Sequence, residues 1–399
     1  MIKRIFQIFI SRGLAAAGTV MLTMAVPVLY SVDVAATFFT GFALLYILSI
    51  VAKCGFDMYL LRESALQFGV AKKTVETSHI CFLIITMLVS ILISIAWYIL
   101  RKYHSSLYQY AWVMWSLPAF SGLGLISFYL RGSGNEIWSA LTEPGTLSLL
   151  TVFALLYSHL AGCVIDLPYV FTVITWTVFL FNILIFSLNY RLVNVGAFVL
   201  RRNFSSSSIY LINQLASYIS QWFPVFLFNY FDKDLVVYFS VANRFATIVT
   251  FVGATIDSFC APRFSASWKA GDLVSLLLLK SKIRRVASFV SVAGFLVVFF
   301  VSLAYGVISD FDHNFFILVI VLLLGYSVSI GLGPNGYLLI MTSYSCYATK
   351  VTVVGCLLIV VLAAILTYMG HGLAVVSVVS SVTALRAYLF RRKVDLLIK

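Results

Sequence analysis

The sequence has 399 residues, of which 62% are hydrophobic and only 10% are Asp, Glu, Lys or Arg. A soluble domain has about 25% charged residues, so 14 acids and 27 bases are too few to cover a globule of this length. The composition therefore excludes a soluble protein and a disordered one. The net charge of +13 has to be located in the chain before it is taken as a sign of nucleic-acid binding.

Twelve apolar runs are long enough to cross a membrane as helices of about 20 residues. The predicted spans are 6–30, 34–54, 79–100, 107–130, 139–161, 167–190, 208–230, 235–258, 286–308, 315–340, 351–369 and 371–390. The first run is too long for a signal peptide and eleven more follow it, so we expect a retained span. In the tenth span, Asn335 and Gly336 follow Pro334, which predicts a broken helix there.

Lys and Arg are distributed unequally between the two sets of loops. With the N-terminus inside, the outer loops hold three bases against six acids, and almost all other bases fall on the inner side. The positive-inside rule therefore predicts that both termini are cytoplasmic, with Arg101 and Lys102 as the one deviation. The excess charge is then mainly a cytoplasmic rim, and no nucleic-acid partner is expected. The longest inner loop, about 259–285, has room for an interfacial helix but not for a domain.

The sequence has no motif for metal or cofactor chemistry. Its six cysteines are scattered, without a C-x-x-C pair and without histidines at zinc-ligand spacing. It also contains no P-loop motif. We expect neither a metal site nor a cofactor.

Two stretches in opposite halves of the chain resemble each other. The matches, offset by 200 or 201 residues, are Phe39/Phe239, Thr40/Ser240, Asp57/Asp257, Arg62/Arg263, Ser64/Ser265 and Ala65/Ala266. Six spans in each half give both halves the same orientation, which is the plan of two parallel lobes related by an axis along the membrane normal. We therefore expect an all-α membrane protein of about twelve helices, with lobes at 1–200 and 201–399.

Two segments resemble polysaccharide transporters: Gly55-Phe56-Asp57-Met58-Tyr59-Leu60-Leu61-Arg62-Glu63 and Gly331-Leu332-Gly333-Pro334-Asn335-Gly336-Tyr337-Leu338-Leu339. With the twelve-span layout, they make the chain similar to O-antigen flippases of the multidrug/oligosaccharidyl-lipid/polysaccharide exporter superfamily. This resemblance implies a non-enzymatic protein of the bacterial inner membrane. It would move undecaprenyl-pyrophosphate-linked oligosaccharide from the cytoplasmic to the periplasmic leaflet by alternating access. Its implied partners are membrane lipids and O-antigen assembly proteins, namely a polymerase and a chain-length regulator.

Arg244 is the sharpest candidate for binding such a substrate. It lies ten residues after Asp234, about 15 Å along a helix and near the bilayer midplane, where an arginine is costly. A guanidinium suits pyrophosphate because its donors form a fork. The alternative is a structural pair with another polar residue inside the bundle.

Four other basic residues are candidates for substrate binding. The resemblance places Arg12 and Lys53 in a headgroup site, because such relatives carry basic residues on the cavity side of their first spans. Snorkelling to the cytoplasmic headgroups is the alternative for both. Arg62 and Arg263 lie just past the inner ends of their spans, where they line a cavity mouth or serve as positive-inside anchors.

Three acids are candidates for a gate or for ion coupling. Asp57 and Asp257 end the repeated spans on the inner side, where they either pair with Arg62 and Arg263 or bind a coupling proton. Glu143 precedes Pro144 at the start of span five, although a helix N-terminus also favours an acid.

Two other functions fit the same layout. A membrane polymerase or ligase acting on lipid-linked glycans also has many spans, but such proteins typically have a large outer loop and the outer loops here are short. A drug or small-solute antiporter of the same superfamily is not separated from a flippase by the sequence pattern.

Overall fold

The computed structural model describes residues 2–66, 74–103, 105–163, 165–189, 191–193, 200–269, 271, 273–309, 311–342 and 344–397. The α-helices in these ranges are α1 (Ile2–Leu29), α2 (Val32–Lys53), α3 (Phe56–Leu66), α4 (Thr77–Leu100), α5 (Ala111–Gly132), α6 (Glu136–Leu141), α7 (Pro144–Leu160), α8 (Leu167–Asn189), α9 (Leu200–Phe231), α10 (Lys233–Lys269), α11 (Leu273–Ile308), α12 (His313–Gly331), α13 (Asn335–Met341), α14 (Ser345–Tyr368) and α15 (Gly372–Leu397). A 3₁₀ turn covers Ser105–Tyr110, and two short strands are β1 (Thr74–Glu76) and β2 (Arg191–Val193).

The long helices have the character of membrane spans. In the described part of the chain, nine helices are long and apolar enough to cross a bilayer, and two shorter apolar helices cover Gly13–Leu29 and Pro144–Leu160. Each predicted span overlaps one long helix, which confirms the all-α, multi-span fold class. The one addition is the parallel pair formed by β1 and β2, in which Thr74 lies opposite Arg191.

The order of elements repeats along the chain. The first residues of α12, α13 and α14 follow those of α5, α6 and α7 by 202, 199 and 201 residues. In both halves a long helix is followed by a short helix and then by another long one. The break between α12 and α13, at 332–334, is the broken tenth span that Pro334 predicts.

The repeat has one exception, at the segment that carries Asp57. Between α2 and α3, Cys54 and Gly55 have φ angles of 52° and 76°, a conformation that favours glycine. A Cβ on Gly55 would stand 2.3 Å from the carbonyl oxygen of Ser207 in α9. The corresponding helix of the second half, α10, runs through the equivalent position without a break.

The chain forms two compact units: unit 1 is Met1–Leu22 with Gly41–Leu215, and unit 2 is Thr23–Thr40 with Ala216–Lys399. In unit 1, α5 is the central helix and packs against α3, α4, α6 and α8. In unit 2, α12 is central and packs against α10, α11 and α15. The predicted lobe boundary between residues 200 and 201 stays a prediction.

Hydroxyl groups join the helices within each unit. In unit 1 the Oγ atoms of Ser90 (α4) and Ser121 (α5) lie 2.7 Å apart. In unit 2 the hydroxyl of Ser380 (α15) donates to the carbonyl oxygen of Val321 (α12) at 2.7 Å. Such small polar side chains allow close helix packing where lipid offers no hydrophobic drive between helices.

The expected inner loop at 259–285 is largely helical, because α10 and α11 both extend into it. Phe264, Leu276 and Ile283 of these extensions pack in a buried cluster that also includes Val394 of α15. Charged residues end the apolar runs in the sequence, whereas a helix turns every third or fourth residue inward. The extensions are therefore amphipathic helices rather than uniformly apolar spans.

Candidate functional site

Arg244 lies inside unit 2, half-buried. It is 11 residues beyond the first residue of α10, about 16 Å along the helix and close to the middle of a hydrocarbon core of ~30 Å. Its guanidinium carbon lies 4.8 Å from the ring centroid of Trp222 in α9, within the range of a cation–π interaction. Trp222 is only 3% exposed, so the ring holds the guanidinium from one side.

A second arginine of unit 2 lies at a similar depth. Arg386 follows the start of α15 by 14 residues, about 21 Å along the helix. Its Nη1 donates to the hydroxyl of Ser217 in α9 at 3.2 Å. The guanidinium is desolvated by the protein around it, and the residue keeps part of its surface accessible.

Tyr326 of α12 is close enough to both arginines to interact electrostatically with each. Its hydroxyl donates to the side-chain oxygen of Asn243 at 3.1 Å. Asn243 is 1% exposed, and its amide nitrogen has no hydrogen-bond partner among the described residues. We call Arg244, Arg386, Tyr326, Asn243, Ser217 and Trp222 the arginine cluster.

Acids are distant along the helices that carry the arginine cluster. On α10 the acid nearest to Arg244 is Asp234, ten residues away, and on α15 the acid nearest to Arg386 is Asp395, nine residues away. These separations correspond to about 15 and 13 Å. The sequences of α9 and α12 contain no acid. The cluster is therefore a cationic region with a free amide donor beside it, suited to an anion.

Charges in unit 1 are arranged as a buried ion pair. Lys53 Nζ lies 3.0 Å from Asp57 Oδ2, and the Asp57 side chain is fully buried. The other carboxylate oxygen accepts hydrogen bonds from Gln214 Nε2 of α9 at 3.0 Å and from the backbone N–H of Met58 at 2.8 Å. Lys53, Asp57 and Gln214 thus connect the break between α2 and α3 to α9.

A second ion pair of unit 1 joins α5 to α7. Glu143 occupies the N-cap position of α7 and accepts a hydrogen bond from the guanidinium of Arg131. Arg131 also lies over the ring of Phe128, 4.8 Å from its centroid. Both Lys53 and Arg131 lie within the last two residues of their helices, at the predicted inner side.

The structure brings together only part of the predicted site. Lys53 and Asp57 contact each other, and Glu143 pairs with an arginine that the sequence analysis did not single out. The side chains of Arg12, Arg62, Asp257 and Arg263 lie outside the described residues. Their predicted roles, including the gate pairs of the two aspartates, stay predictions.

Arg386, Arg131, Tyr326 and Asn243 were missed by the sequence analysis. Arg386 lies inside the predicted span 371–390 but only four residues before its inner end, where a long basic side chain can reach the headgroups. Arg131 lies just past a predicted span, where a basic residue is ordinary. Tyr326 and Asn243 are uncharged, and only the fold shows that they lie beside the arginines.

No protein-family model and no curated protein matches the sequence. A MATE transporter of Vibrio cholerae is similar in structure, at 16% identity over 98% of this chain and 96% of that one, with a TM-score of 0.65. A multidrug resistance MATE family transporter of the MOP superfamily matches at 14% identity over 99% and 96%, with a TM-score of 0.68. A MOP superfamily transporter from Pyrococcus furiosus, for which a binding pocket of reverse polarity is described, matches at 14% identity over 99% and 95%, with a TM-score of 0.70. The chain thus has the fold of MOP superfamily transporters.

Proposed function

We propose that the protein moves a pyrophosphate-linked lipid oligosaccharide, of the undecaprenyl type used for O-antigen repeat units, across the bacterial inner membrane by alternating access. The fold shared with MOP transporters supports a transport function. The observation that carries the proposal is the arginine cluster, in which two guanidiniums and the unpaired amide nitrogen of Asn243 occur within one unit. Such a set of donors fits the oxygens of a pyrophosphate.

The free energy of burying these arginines favours an anionic cargo. Each arginine at the bilayer centre costs about 2.5–3.5 kcal/mol on insertion scales. Arg244 and Arg386 lie at similar depth within one unit and interact with the same tyrosine, so their charges repel each other. A bound pyrophosphate offsets both the cost of burying the arginines and the repulsion between them, because it supplies the counter-charge for two guanidiniums. Trp222 lies 4.8 Å from the guanidinium carbon of Arg244 and stabilises its charge through a cation–π interaction.

The same charges give the transport a direction. The pyrophosphate and sugars enter the cationic cavity from the cytoplasmic side, while the polyprenyl tail stays in lipid because it is apolar. An anion that leaves a negative-inside cell gains about 2.3 kcal/mol per charge per 100 mV. At the predicted outer rim of unit 2, the exposed Asp232, Asp234 and Asp312 repel the headgroup and favour its release. Glu143, Asp57 and Asp257 remain the candidates for ion coupling.

Drug or small-solute antiport is the second candidate function. The observation that favours it is the likeness in fold to a multidrug resistance MATE family transporter. Export of a cation needs acids that are free to bind it. In unit 1, however, the buried Asp57 pairs with Lys53 and Glu143 pairs with Arg131. These ion pairs make the cationic cluster of unit 2 the better-supported binding site.

Substitution of Arg244 tests the proposal in cells that carry the gene. Arg244→Ala should reduce surface polysaccharide by about tenfold or more, equivalent to ~1.4 kcal/mol or more, and lipid-linked oligosaccharide should accumulate in the cytoplasmic leaflet. Arg244→Lys keeps the charge without the fork and should retain part of the activity. Exposed Arg392 of α15 provides the control variant Arg392→Ala. Normal polysaccharide in both Arg244 variants at equal expression would refute the role of Arg244, and altered drug resistance alone would favour antiport.

A further inference from the structure

Arg101 is the one arginine that the sequence places on the predicted outer face. It follows α4 directly and its side chain is held between two tyrosine rings. The guanidinium carbon lies 3.9 Å from the ring centroid of Tyr98, one turn back in α4, and 5.2 Å from that of Tyr108 in the 3₁₀ turn. Both distances are within the range of cation–π interactions.

The common reasons for a basic residue at this place do not account for Arg101. A basic side chain after a helix usually interacts with the last carbonyl oxygens. Within the described part of the chain, the contacts of the Arg101 guanidinium are the two rings rather than a carbonyl oxygen or a carboxylate. The positive-inside rule also disfavours a base on this face. The structure therefore keeps a fixed cation where membrane topology does not need one.

Stacking leaves the binding groups of this arginine available. A ring contacts the face of a guanidinium, whereas its N–H donors lie in the plane and point to its edges. With two rings in contact, the side chain is ordered before any ligand arrives, which lowers the entropy lost on binding. Tyr98 and Tyr108 are 53% and 54% exposed, so the edges of the site can be reached from the membrane surface.

We propose that Arg101, Tyr98 and Tyr108 form a binding site for a phosphate-bearing lipid headgroup on the predicted outer face of unit 1. As a station that receives the pyrophosphate headgroup after translocation, the site rests on the proposed function. The phosphate accepts from the in-plane N–H groups of Arg101, and the exposed tyrosine rings contact the first sugar or the head of the lipid. The outer leaflet offers two sources of this chemistry, the translocated lipid and resident phospholipids.

Arginine-specific labelling with phenylglyoxal, read out peptide by peptide, tests the site directly. The full-length protein is placed in phosphatidylcholine nanodiscs, and farnesyl pyrophosphate serves as the probe, with farnesol as the uncharged control. At a probe concentration about four times Kd, the free fraction is about one fifth, so the labelling rate of Arg101 should fall about fivefold. Farnesol should leave that rate unchanged.

Variants separate the site from a general charge effect. Tyr98→Ala and Tyr108→Ala keep Arg101 but should abolish its protection, whereas the neighbouring substitution Lys102→Ala should retain it. Protection by phosphatidylglycerol nanodiscs but not by farnesyl pyrophosphate would keep the headgroup site and refute its link to the cargo. Unchanged Arg101 labelling with both anions would overturn the proposal, as would equal protection of exposed Arg392. In Arg244→Ala the protection of Arg101 should persist, so loss of transport and loss of this site are distinguishable.

Discussion

The basic residues inside the two units of the protein have different kinds of partner. In unit 1, Lys53 is neutralised by Asp57 at 3.0 Å and Arg131 by Glu143, near the inner ends of the helices. In unit 2, Arg244 stacks on Trp222 and Arg386 donates to Ser217, both near mid-depth. The difference separates charges that hold a fold together from charges that are kept for a ligand.

A physical argument supports this separation. A buried ion pair is costly to break because the remaining charge stays desolvated. Replacing Arg386, which donates to the neutral hydroxyl of Ser217, by an apolar residue of similar volume should cost much less stability. Substitution of a paired charge in unit 1 should therefore lower stability. Substitution of an arginine in unit 2 should instead lower transport, with little change in stability.

The largest loss of stability is expected for a substitution at Gly55, in the break that positions the Lys53–Asp57 ion pair of unit 1. Gly55→Ala forces an alanine to a φ of 76° and brings its Cβ to 2.3 Å from the Ser207 carbonyl oxygen. The free energy of unfolding should fall by about 4 kcal/mol or more. Gly162→Ala is the matched control, because Gly162 has a φ of 68° but nothing within 4 Å, so only the backbone term of about 1–2 kcal/mol applies. Equal thermal stability of the two variants would show that α9 does not restrain the break.

Removal of one member of the Lys53–Asp57 pair is expected to have the next largest effect. Asp57→Asn leaves a buried ammonium without its counter-charge and should lower stability by about 3 kcal/mol. In the double variant Lys53→Met/Asp57→Asn the penalty should be smaller, since no charge remains. Thermal unfolding in nanodiscs measures both. If the loss of stability in the double variant equalled the sum of the losses in Lys53→Met and in Asp57→Asn, the ion-pair explanation would be contradicted.

Arg386→Met brings the two units into direct contrast. We expect a change in stability within about 1 kcal/mol, because the Arg386 guanidinium donates to the neutral hydroxyl of Ser217 and an apolar side chain needs no desolvation of a charge. Export of polysaccharide should nevertheless be lost. The matched variant in unit 1 is Arg131→Met, which leaves Glu143 without its arginine and should lower stability clearly. If Arg386→Met unfolded as readily as Arg131→Met, the assignment of unit 2 to ligand binding would be wrong.

The smallest effect is expected for an ion pair outside the buried regions. Lys233 and Asp33 contact each other in unit 2, but their side chains are 54% and 75% exposed. Lys233→Ala should cost about 0.5 kcal/mol or less, and the difference should vanish at 1 M salt, where the Debye length is about 3 Å. A larger loss of stability that does not depend on salt would mean that exposure does not determine how much an ion pair contributes to stability.

The helices of the fold could be predicted from the sequence because each contains an apolar run that matches the bilayer thickness. Their inner ends could not, since Phe264 follows Arg263 and Ile283 lies between Lys282 and Arg284, and both become buried only when α10 and α11 pack in the cluster with Val394. The break after α2 has a local signal in Gly55. The second half has Thr255 at that position, in agreement with a continuous α10.

The candidate site was predictable only where depth could be counted along one helix. Arg244 could be found in this way, whereas Arg386 lies only four residues before the inner end of its predicted span. By contrast, Gln214 lies 157 residues from Asp57, its hydrogen-bond partner, and no spacing rule connects the two. The contact of Asp57 with Lys53 was not predicted either, because it depends on the backbone turn at Cys54 and Gly55.

The short strand pair β1–β2 has a consequence for the order in which the protein is made. Thr74 pairs with Arg191, so the pair cannot form until translation has passed α4, α5, α6, α7 and α8. At about 5–20 residues per second, the ribosome needs on the order of 6–23 s for this stretch. The next helix, α9, begins at Leu200, only a few residues after β2. The strand pair can therefore form only at about the time when α9, which contributes residues to both units, begins to be made.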